Sequence, residues 1–482
     1  MGSSHSLHSQ SSCAAPLLLL RTSRVDTMED EAEEECMEVQ LFLESALMVA
    51  QHIRKRKKKI DGRTLPRSLR TKYRHAEALH CIKRDYLGIP DDLGSPIFNG
   101  REFDSMFRIS RSRFQRLMED FAATGDPFYL STEDCFGHEI ASFEARMLLP
   151  LKSIAFGVPP KTFRDYFQMS KTLARDCCIN FYRKIRTVYE SEYLRTPTKE
   201  DLKAITRLHQ NVHKVPGMVG SLDCMHTYWK NCPVAWQGSY KGSKSKPSIV
   251  LEAMSDHHLF FWHCAYGYAG TLNDINILNL SPLLESFRDG SFEKLEDEIC
   301  PFMIGTSAFQ FLYILVDGIY PRWSRFVRGI KEPITQKEKT FTGFQESARK
   351  DIERAFGVLQ AKFQILARPI TLMDPELIGV MVACLILHNM CVSDRIMDGD
   401  VYARYNPAED LSEDEGEVVE DPPELIELKK TMKVQERAKI SIRNADPSVQ
   451  KILIRKKRWE SLQNKEEHGR LAEALMDFIF ND

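Results

Sequence analysis

The chain has 482 residues, a formal net charge of −2, 43% apolar and 28% charged residues. That length allows about three domains, and the apolar share supplies a packed core, which excludes a wholly disordered, collagen-like or low-complexity protein. No uninterrupted apolar run approaches the ~20 residues that cross a bilayer, Ala14–Leu20 being too short even for a secretory core, and no membrane partner is expected.

The first 25 residues are rich in Ser and His and read as disordered. Met28-Glu29-Asp30-Glu31 has the texture of an N-terminus, so Met28 or Met37 is a candidate start. Charge is segregated: Glu29–Glu38 is acidic, Arg54–Arg74 holds eleven Lys/Arg against one acid, and Glu409–Glu427 is acidic again. A helical pattern over Leu41–His52 leads into six consecutive basic residues, Arg54–Lys59. Such a run fits a nuclear localisation signal or an arm on a nucleic-acid backbone, the bland alternative being a solvated linker. The twelve cysteines include no CxxC pair, which points to reduced intracellular thiols.

From Phe103 to Val188 the pattern is helical. Ser110 is placed to cap a helix with Phe114, Leu117, Met118 and Phe121 on its apolar side; Phe143–Ile154 is the next, closing near Gly157. Pro160–Phe167 followed by Lys171–Val188, with Ser170 as N-cap, has the outline of a helix-turn-helix offering Arg164, Lys171, Arg175, Lys184 and Arg186 to phosphate. A helical packing module fits the same residues.

Near Val219 the texture changes to strands: Met218–Cys224, Pro247–Met254 and Leu259–Tyr266, the last two joined by a turn at Asp256-His257-His258. Phe311–Val316 is almost continuously apolar, the mark of a strand buried on both faces. After a basic loop containing Arg322, Arg325, Arg328 and Lys331 comes a long helix over about Gln345–Phe363, then an apolar helix over Leu377–Met390. The order fits an α/β layer fold. A terminal helix with Leu471, Leu475, Phe478 and Ile479 in one stripe is expected to dock on the rest.

Three acids stand out by position. Asp223 and Asp317 close the first and fourth strands, and Glu353 lies on the long helix 36 residues after Asp317. Carboxylates at adjacent strand ends, with a third from a helix across them, make an oxygen cage for Mg²⁺ or Mn²⁺. Two such ions activate water and stabilise a leaving 3′ oxygen at a phosphodiester. Helix phase alone leaves Asp351 and Glu353 both eligible, one on each flank of the Ile352, Phe356, Leu359, Phe363 stripe. Cys224, Cys232, His263 and Cys264 form no pairing that resembles a zinc finger.

The run Gly217-Met218-Val219-Gly220-Ser221-Leu222-Asp223-Cys224-Met225-His226, followed by Trp229-Lys230-Asn231-Cys232-Pro233, resembles the first catalytic block of PIF/Harbinger transposases and their nuclease-like relatives. Further blocks follow in the family's order: Gly270–Leu278, Val316-Asp317-Gly318-Ile319-Tyr320-Pro321, Glu346–Gln360 and Leu387-His388-Asn389-Met390. The resemblance covers roughly Phe103–Asp394. Thr227-Tyr228 and Thr271-Leu272 depart from the family's usual residues at places that bear on substrate contacts rather than on the acids.

The resemblance implies an α/β, RNase H-like (retroviral integrase-type) catalytic domain with a mixed sheet flanked by helices, preceded by a helical domain. The expected boundaries are a disordered acidic and basic region over 1–75, helices with the helix-turn-helix over 76–205, the endonuclease domain over 206–395, and an acidic linker with a C-terminal helix over 396–482. It implies an Asp-Asp-Glu triad on Asp223, Asp317 and Glu353, which selects Glu353 over Asp351 and makes all three metal ligands for two Mg²⁺ or Mn²⁺ ions. Asp274 and His226 are auxiliary candidates. Arg322, Arg325, Arg349, Lys350 and Arg354 are candidates for contacts along double-stranded DNA. The implied activity is metal-dependent hydrolysis of phosphodiesters with strand joining, in the nucleus, beside a separate Myb-like DNA-binding protein; a second copy of the chain is a further candidate partner. The competing expectation is a host-recruited, chromatin-associated factor of the same ancestry that binds DNA or protein without cutting. The complete triad favours the enzyme.

Overall fold

The computed structural model describes residues 72–89, 95–242, 246–372, 376–397 and 447–481. The N-terminal acidic run, the Leu41–His52 helix, nearly all of the basic block and the Glu409–Glu427 segment lie outside the described residues. The stretch from Lys72 onward forms one compact unit.

Helices come first: α1 (His75–Ile82), α2 (Gly100–Phe107), α3 (Arg111–Ala123), α4 (Phe143–Phe156), α5 (Lys171–Tyr193) and α6 (Lys199–His213). Ser110 and Ser170 cap α3 and α5 as their positions predict, each hydroxyl accepting from the backbone N–H three residues on. The segment before α5 is a single 3₁₀ turn, Pro160–Phe163, and α5 is a core helix that buries Ala174, Cys177, Phe181 and Ile185. Lys184 is paired with Asp126 at 2.6 Å and Arg186 with Glu190 at 2.8 Å. Arg164, Lys171 and Arg175 are exposed.

The sheet is mixed and five-stranded, in the order β3-β2-β1-β6-β7. Strands β1 (Met218–Tyr228), β2 (Ser248–Ser255) and β3 (Phe261–Ala269) form an antiparallel meander; β6 (Tyr313–Leu315) and β7 (Phe326–Val327) run parallel to β1. Strands β4 (Phe302–Ile304) and β5 (Ser307–Phe309) make a separate hairpin. The expected turn joins β2 to β3, fastened by the buried Asp256, which accepts from Trp262 Nε1 at 2.8 Å. Strand β1 runs four residues beyond the expected end, so Asp223 sits within it and not at its terminus.

Helices α7 (Asp274–Asn279) and α8 (Pro282–Asp289) follow β3, and α9 (Gln336–Lys362) and α10 (Glu376–Met397) close the layer. One face of the sheet packs on α9 and α10 through Met225, Ile249, Leu251, Ala253, Ile352 and Leu359, sharing its core with the helical layer. The other face packs on α6 and α8 through Val219, Leu222, Ile314, Leu202 and Leu284. The stretch Ile378–Met397 is long and apolar enough to cross a membrane, but 72% of its most apolar window is buried in the protein, as in a core helix. Of the two last helices, α11 (Pro447–Leu462) and α12 (Lys465–Asn481), α12 docks as expected, burying Leu471 and Leu475 with Phe341 and Ala348 of α9.

The Leu387–Met390 block has a structural task. Asn389 is fully buried; its Oδ1 accepts from Phe261 N at 2.9 Å, while Nδ2 donates to Tyr193 O at 2.7 Å and Phe261 O at 2.9 Å. One amide thereby stitches α10 to the start of β3 and to the end of α5. Replacing it by an apolar isostere strands three buried backbone groups, at roughly 1–3 kcal/mol each. Asn389→Leu is expected to lower unfolding stability by at least about 3 kcal/mol, read as a drop in the urea midpoint; an unchanged midpoint would refute the staple.

Candidate functional site

The site rests on strand parity. Met218 joins the core under α9, Val219 and Leu222 join the core on the opposite face, and Ser221 is back under α9, donating to Ala348 O at 3.4 Å. A simple alternation cannot put Val219 and Leu222 on one side. The β1–β6 register shifts between Met218 and Gly220, and that bulge resets the phase. Only Gly fits there, since a Cβ on residue 220 would lie 2.5 Å from Ser255 O. Downstream of the bulge Asp223 and Met225 face α9, while Cys224 and His226 face away.

Strand β6 alternates in the same sense: Tyr313 and Leu315 pack under α9, Ile314 and Val316 opposite. Ser221 pairs with Leu315 across the parallel ladder. Asp223 lies two residues beyond that pair within β1, and Asp317 lies two residues beyond it in the loop that follows β6, close enough for its charge to act on Asp223. Two polar clamps hold the loop at Asp317. Gln345 of α9 donates through Nε2 to Val316 O at 2.9 Å and Val327 O at 3.1 Å. Arg328 Nη1 donates to Gly318 O and Tyr320 O, both at 2.8 Å.

Glu353 arrives from α9, which begins at a Thr335–Glu338 capping box, nine residues before the expected start. Its carboxylate meets Arg349 Nη2 at 2.7 Å, one turn back, and Arg349 Nη1 lies 3.4 Å from Asp223 Oδ2. Arg349, expected to lie along DNA, thus links two of the three acids. Asp351 points elsewhere: it is buried and held by His213, His257 and Arg354. The structure therefore puts Glu353, and not Asp351, with Asp223.

Burial pushes the Asp223 carboxyl up to about 6, with the charges of Asp274 and Asp317 adding to the rise and Arg349 and the Cys224 N–H opposing it. That pattern marks Asp317 and Asp274 as near neighbours. Asp274 is the first residue of α7, whose N-cap is Asn273, at the rim of the acid cluster. His226, three residues on along β1, has its Nδ1 3.0 Å from Ser248 Oγ.

Among the candidate DNA contacts, Arg322, Lys350 and Arg354 are exposed, Arg354 also binding Asp351. Arg325 is a correction. It is an interior ion pair with Glu296, itself 2% exposed, and its guanidinium lies over Phe287 and Phe292. Buried in that way, it holds the loop after β6 to the α8 side and offers nothing to a phosphate backbone. Burial pushes the Cys224 and Cys264 thiols up, which disfavours the thiolates a metal needs. One cluster escaped the sequence reading: His209, His213 and Asp351, with donor atoms within 4.8 Å of one another.

Residues 191–399 match the family model described as plant transposon protein. The matched stretch carries Asp223, Asp317 and Glu353 and supports a transposase-related family. No curated protein and no solved structure matches the chain.

The raised pKa fixes a sign. Between about 4 and 6 the folded state binds more protons at Asp223 than the unfolded state, so stability falls as pH rises through that window and stays lower above it. In metal-free protein, Asp223→Asn is expected to be more stable than wild type near neutral pH, by up to about 3 kcal/mol, with the advantage vanishing below about pH 4. Parallel melting curves across the window check this; a variant less stable than wild type at neutral pH would contradict the assignment of strain to the carboxylate.

Proposed function

We propose that this protein is a metal-dependent DNA endonuclease of PIF/Harbinger transposase type, hydrolysing phosphodiester bonds and joining strands on an RNase H-like fold. The observation that carries the proposal is the placing of Asp223 on β1 near Asp317, which follows two residues after the end of the parallel neighbour β6, with Arg349 linking Asp223 to Glu353. The family match to transposon proteins supports it. The RNase H-like reading is supported by a central first strand that is antiparallel to β2 and parallel to β6.

The donors suit the ions. Three carboxylates give oxygen ligands for hard cations such as Mg²⁺ or Mn²⁺, and the upward shift of Asp223 comes first from its burial, with the charges of Asp274 and Asp317 adding a smaller part. Asp223, Asp317 and Glu353 would hold the ions. Bound there, the two cations supply the charge that activates water and stabilises a departing 3′ oxygen. The rest falls to the chain's own groups. Gln345 and Arg328 fix the Asp317 backbone, so this carboxylate is presented with little freedom. Arg349 pairs with the half-exposed Glu353 and reaches Asp223 with its other nitrogen, linking the two carboxylates. Lys350 and Arg322 offer exposed charge for the phosphates that flank the cut, without reading sequence. The proposal includes double-stranded DNA as substrate, a nuclear location, and a Myb-like partner for target choice.

The test is nicking of supercoiled plasmid by purified protein with Mg²⁺ or Mn²⁺. Asp317→Asn and Glu353→Gln are each expected to lose about 100-fold or more in rate, with circular dichroism unchanged. Nicking by wild type and both variants alike would sink the site. Nicking by none, with or without a Myb-like partner, would favour the non-cleaving binding factor.

A further inference from the structure

On the other flank of α9 lies a second cluster of ligand-bearing side chains. His209 and His213 are four residues apart on α6, so both imidazoles leave the same side of the helix. Their rings stack with centroids 5.5 Å apart. Asp351 comes from α9, and its Oδ2 lies 3.2 Å from His213 Nε2 and 3.0 Å from His257 Nδ1. His257 sits in the β2–β3 turn, its ring 5.1 Å from that of His213. Three separate segments thus converge on one carboxylate oxygen.

A metal-free hydrogen-bonded cluster explains His213, His257 and Asp351 but fails at His209. That residue has no exposed surface, and neither of its ring nitrogens has a hydrogen-bond partner among the described residues. An imidazole left so would cost on the order of 1–3 kcal/mol for each stranded group. Coordination removes that cost by giving one nitrogen a ligand bond. We propose that His209, His213, His257 and Asp351 form a transition-metal site of the zinc class, distinct from the Asp223–Asp317–Glu353 site.

Three imidazoles and one carboxylate suit Zn²⁺ in tetrahedral coordination, whereas Mg²⁺ prefers oxygen throughout. The donor atoms of His209, His213 and Asp351 lie within 4.8 Å of one another. Bonds of about 2.1 Å want donors about 3.4 Å apart, a closure within reach of side-chain rotation. Burial, with the nearby His213, pushes His209 down to about 3, so the neutral ligand form is the one present. Burial alone would raise Asp351, but His213, His257 and Arg354 hold it well below the usual carboxylate range. Arg354 takes Asp351's other oxygen, the outer contact that orients a carboxylate ligand. The role is structural: the ion ties α6 and the β2–β3 turn to the helix that carries Glu353 two residues on.

The test uses the full-length protein and Zn²⁺ or Co²⁺ as the probe. Mass spectrometry of metals is expected to find about one zinc per chain after purification without added metal. After chelation, Co²⁺ is expected to restore one equivalent with the intense visible absorption of a tetrahedral site. His209→Ala should abolish that absorption, while Asp317→Asn should keep it. Where His209→Ala fails to fold by circular dichroism, His257→Gln decides, with Co²⁺ affinity expected to fall at least about tenfold. Folded wild type that holds no zinc and takes up no stoichiometric Co²⁺ overturns the proposal. So does an absorption lost in Asp317→Asn but kept in the histidine variants. Neither result depends on nicking, so the nuclease proposal stands or falls separately.

Discussion

Everything functional in this molecule hangs on the packing of one helix across two parallel strands. Helix α9 lies over β1 and β6 through Ala348, Ile352, Ala355 and Leu359, all at or below 1% exposure. Its Gln345 side chain is buried and spends its amide protons on the carbonyls that end β6 and β7. With the helix so fixed, each later residue's direction is fixed as well. Positions 351 and 353 are about 200° apart around the axis. One carboxylate therefore faces a histidine cluster and the other faces the aspartates. The separation of two sites by two residues of sequence is a consequence of helical pitch alone.

The second constraint is the bulge in β1. It converts a strand that begins with Met218 under α9 into one that places Ser221, Asp223 and Met225 there. Had the alternation run through unbroken, Asp223 would face the α6 and α8 side, with Asp317 left alone under α9. A glycine at 220 is the local requirement, because Ser255 O approaches too closely for any side chain. Burying the Asp223 carboxylate is unfavourable in itself, the charges of Asp274 and Asp317 add to the cost, and Arg349 offsets part of it.

Much of this was legible in the sequence where the signal was periodic. The buried stripe Ile352, Phe356, Leu359, Phe363 gave the phase of α9, and the uninterrupted apolar run gave β6. Serine caps located α3 and α5. What stayed hidden depended on three-dimensional company. A bulge does not show in composition, so the side on which His226 emerges could not be read. Arg325 looked like its basic neighbours, and only the fold shows Glu296 waiting beneath it. Helix α6 was overlooked although Thr198 and Asp201 form a capping box at its start, and with it went His209 and His213. The start of α9 was missed for the same reason: Thr335 and Glu338 lie among lysines that read as loop.

The three acids are not held alike, and the difference bears on how the site works. Asp223 and Asp317 have short side chains whose positions follow from strand register, and each accepts a backbone N–H from the next residue, at 2.8 and 2.7 Å. Glu353 has a longer side chain, 46% exposed, paired with Arg349. Two of the carboxylates are thus set by the backbone and the third by a side-chain ion pair at the surface. An exposed pair of this kind is worth at most about 1 kcal/mol, so little opposes a change of partner by Glu353. In the proposed nuclease the backbone pair would set where a cation sits, and the helix would supply a carboxylate free to swing toward it, so that one frame could close around its ions without moving the sheet.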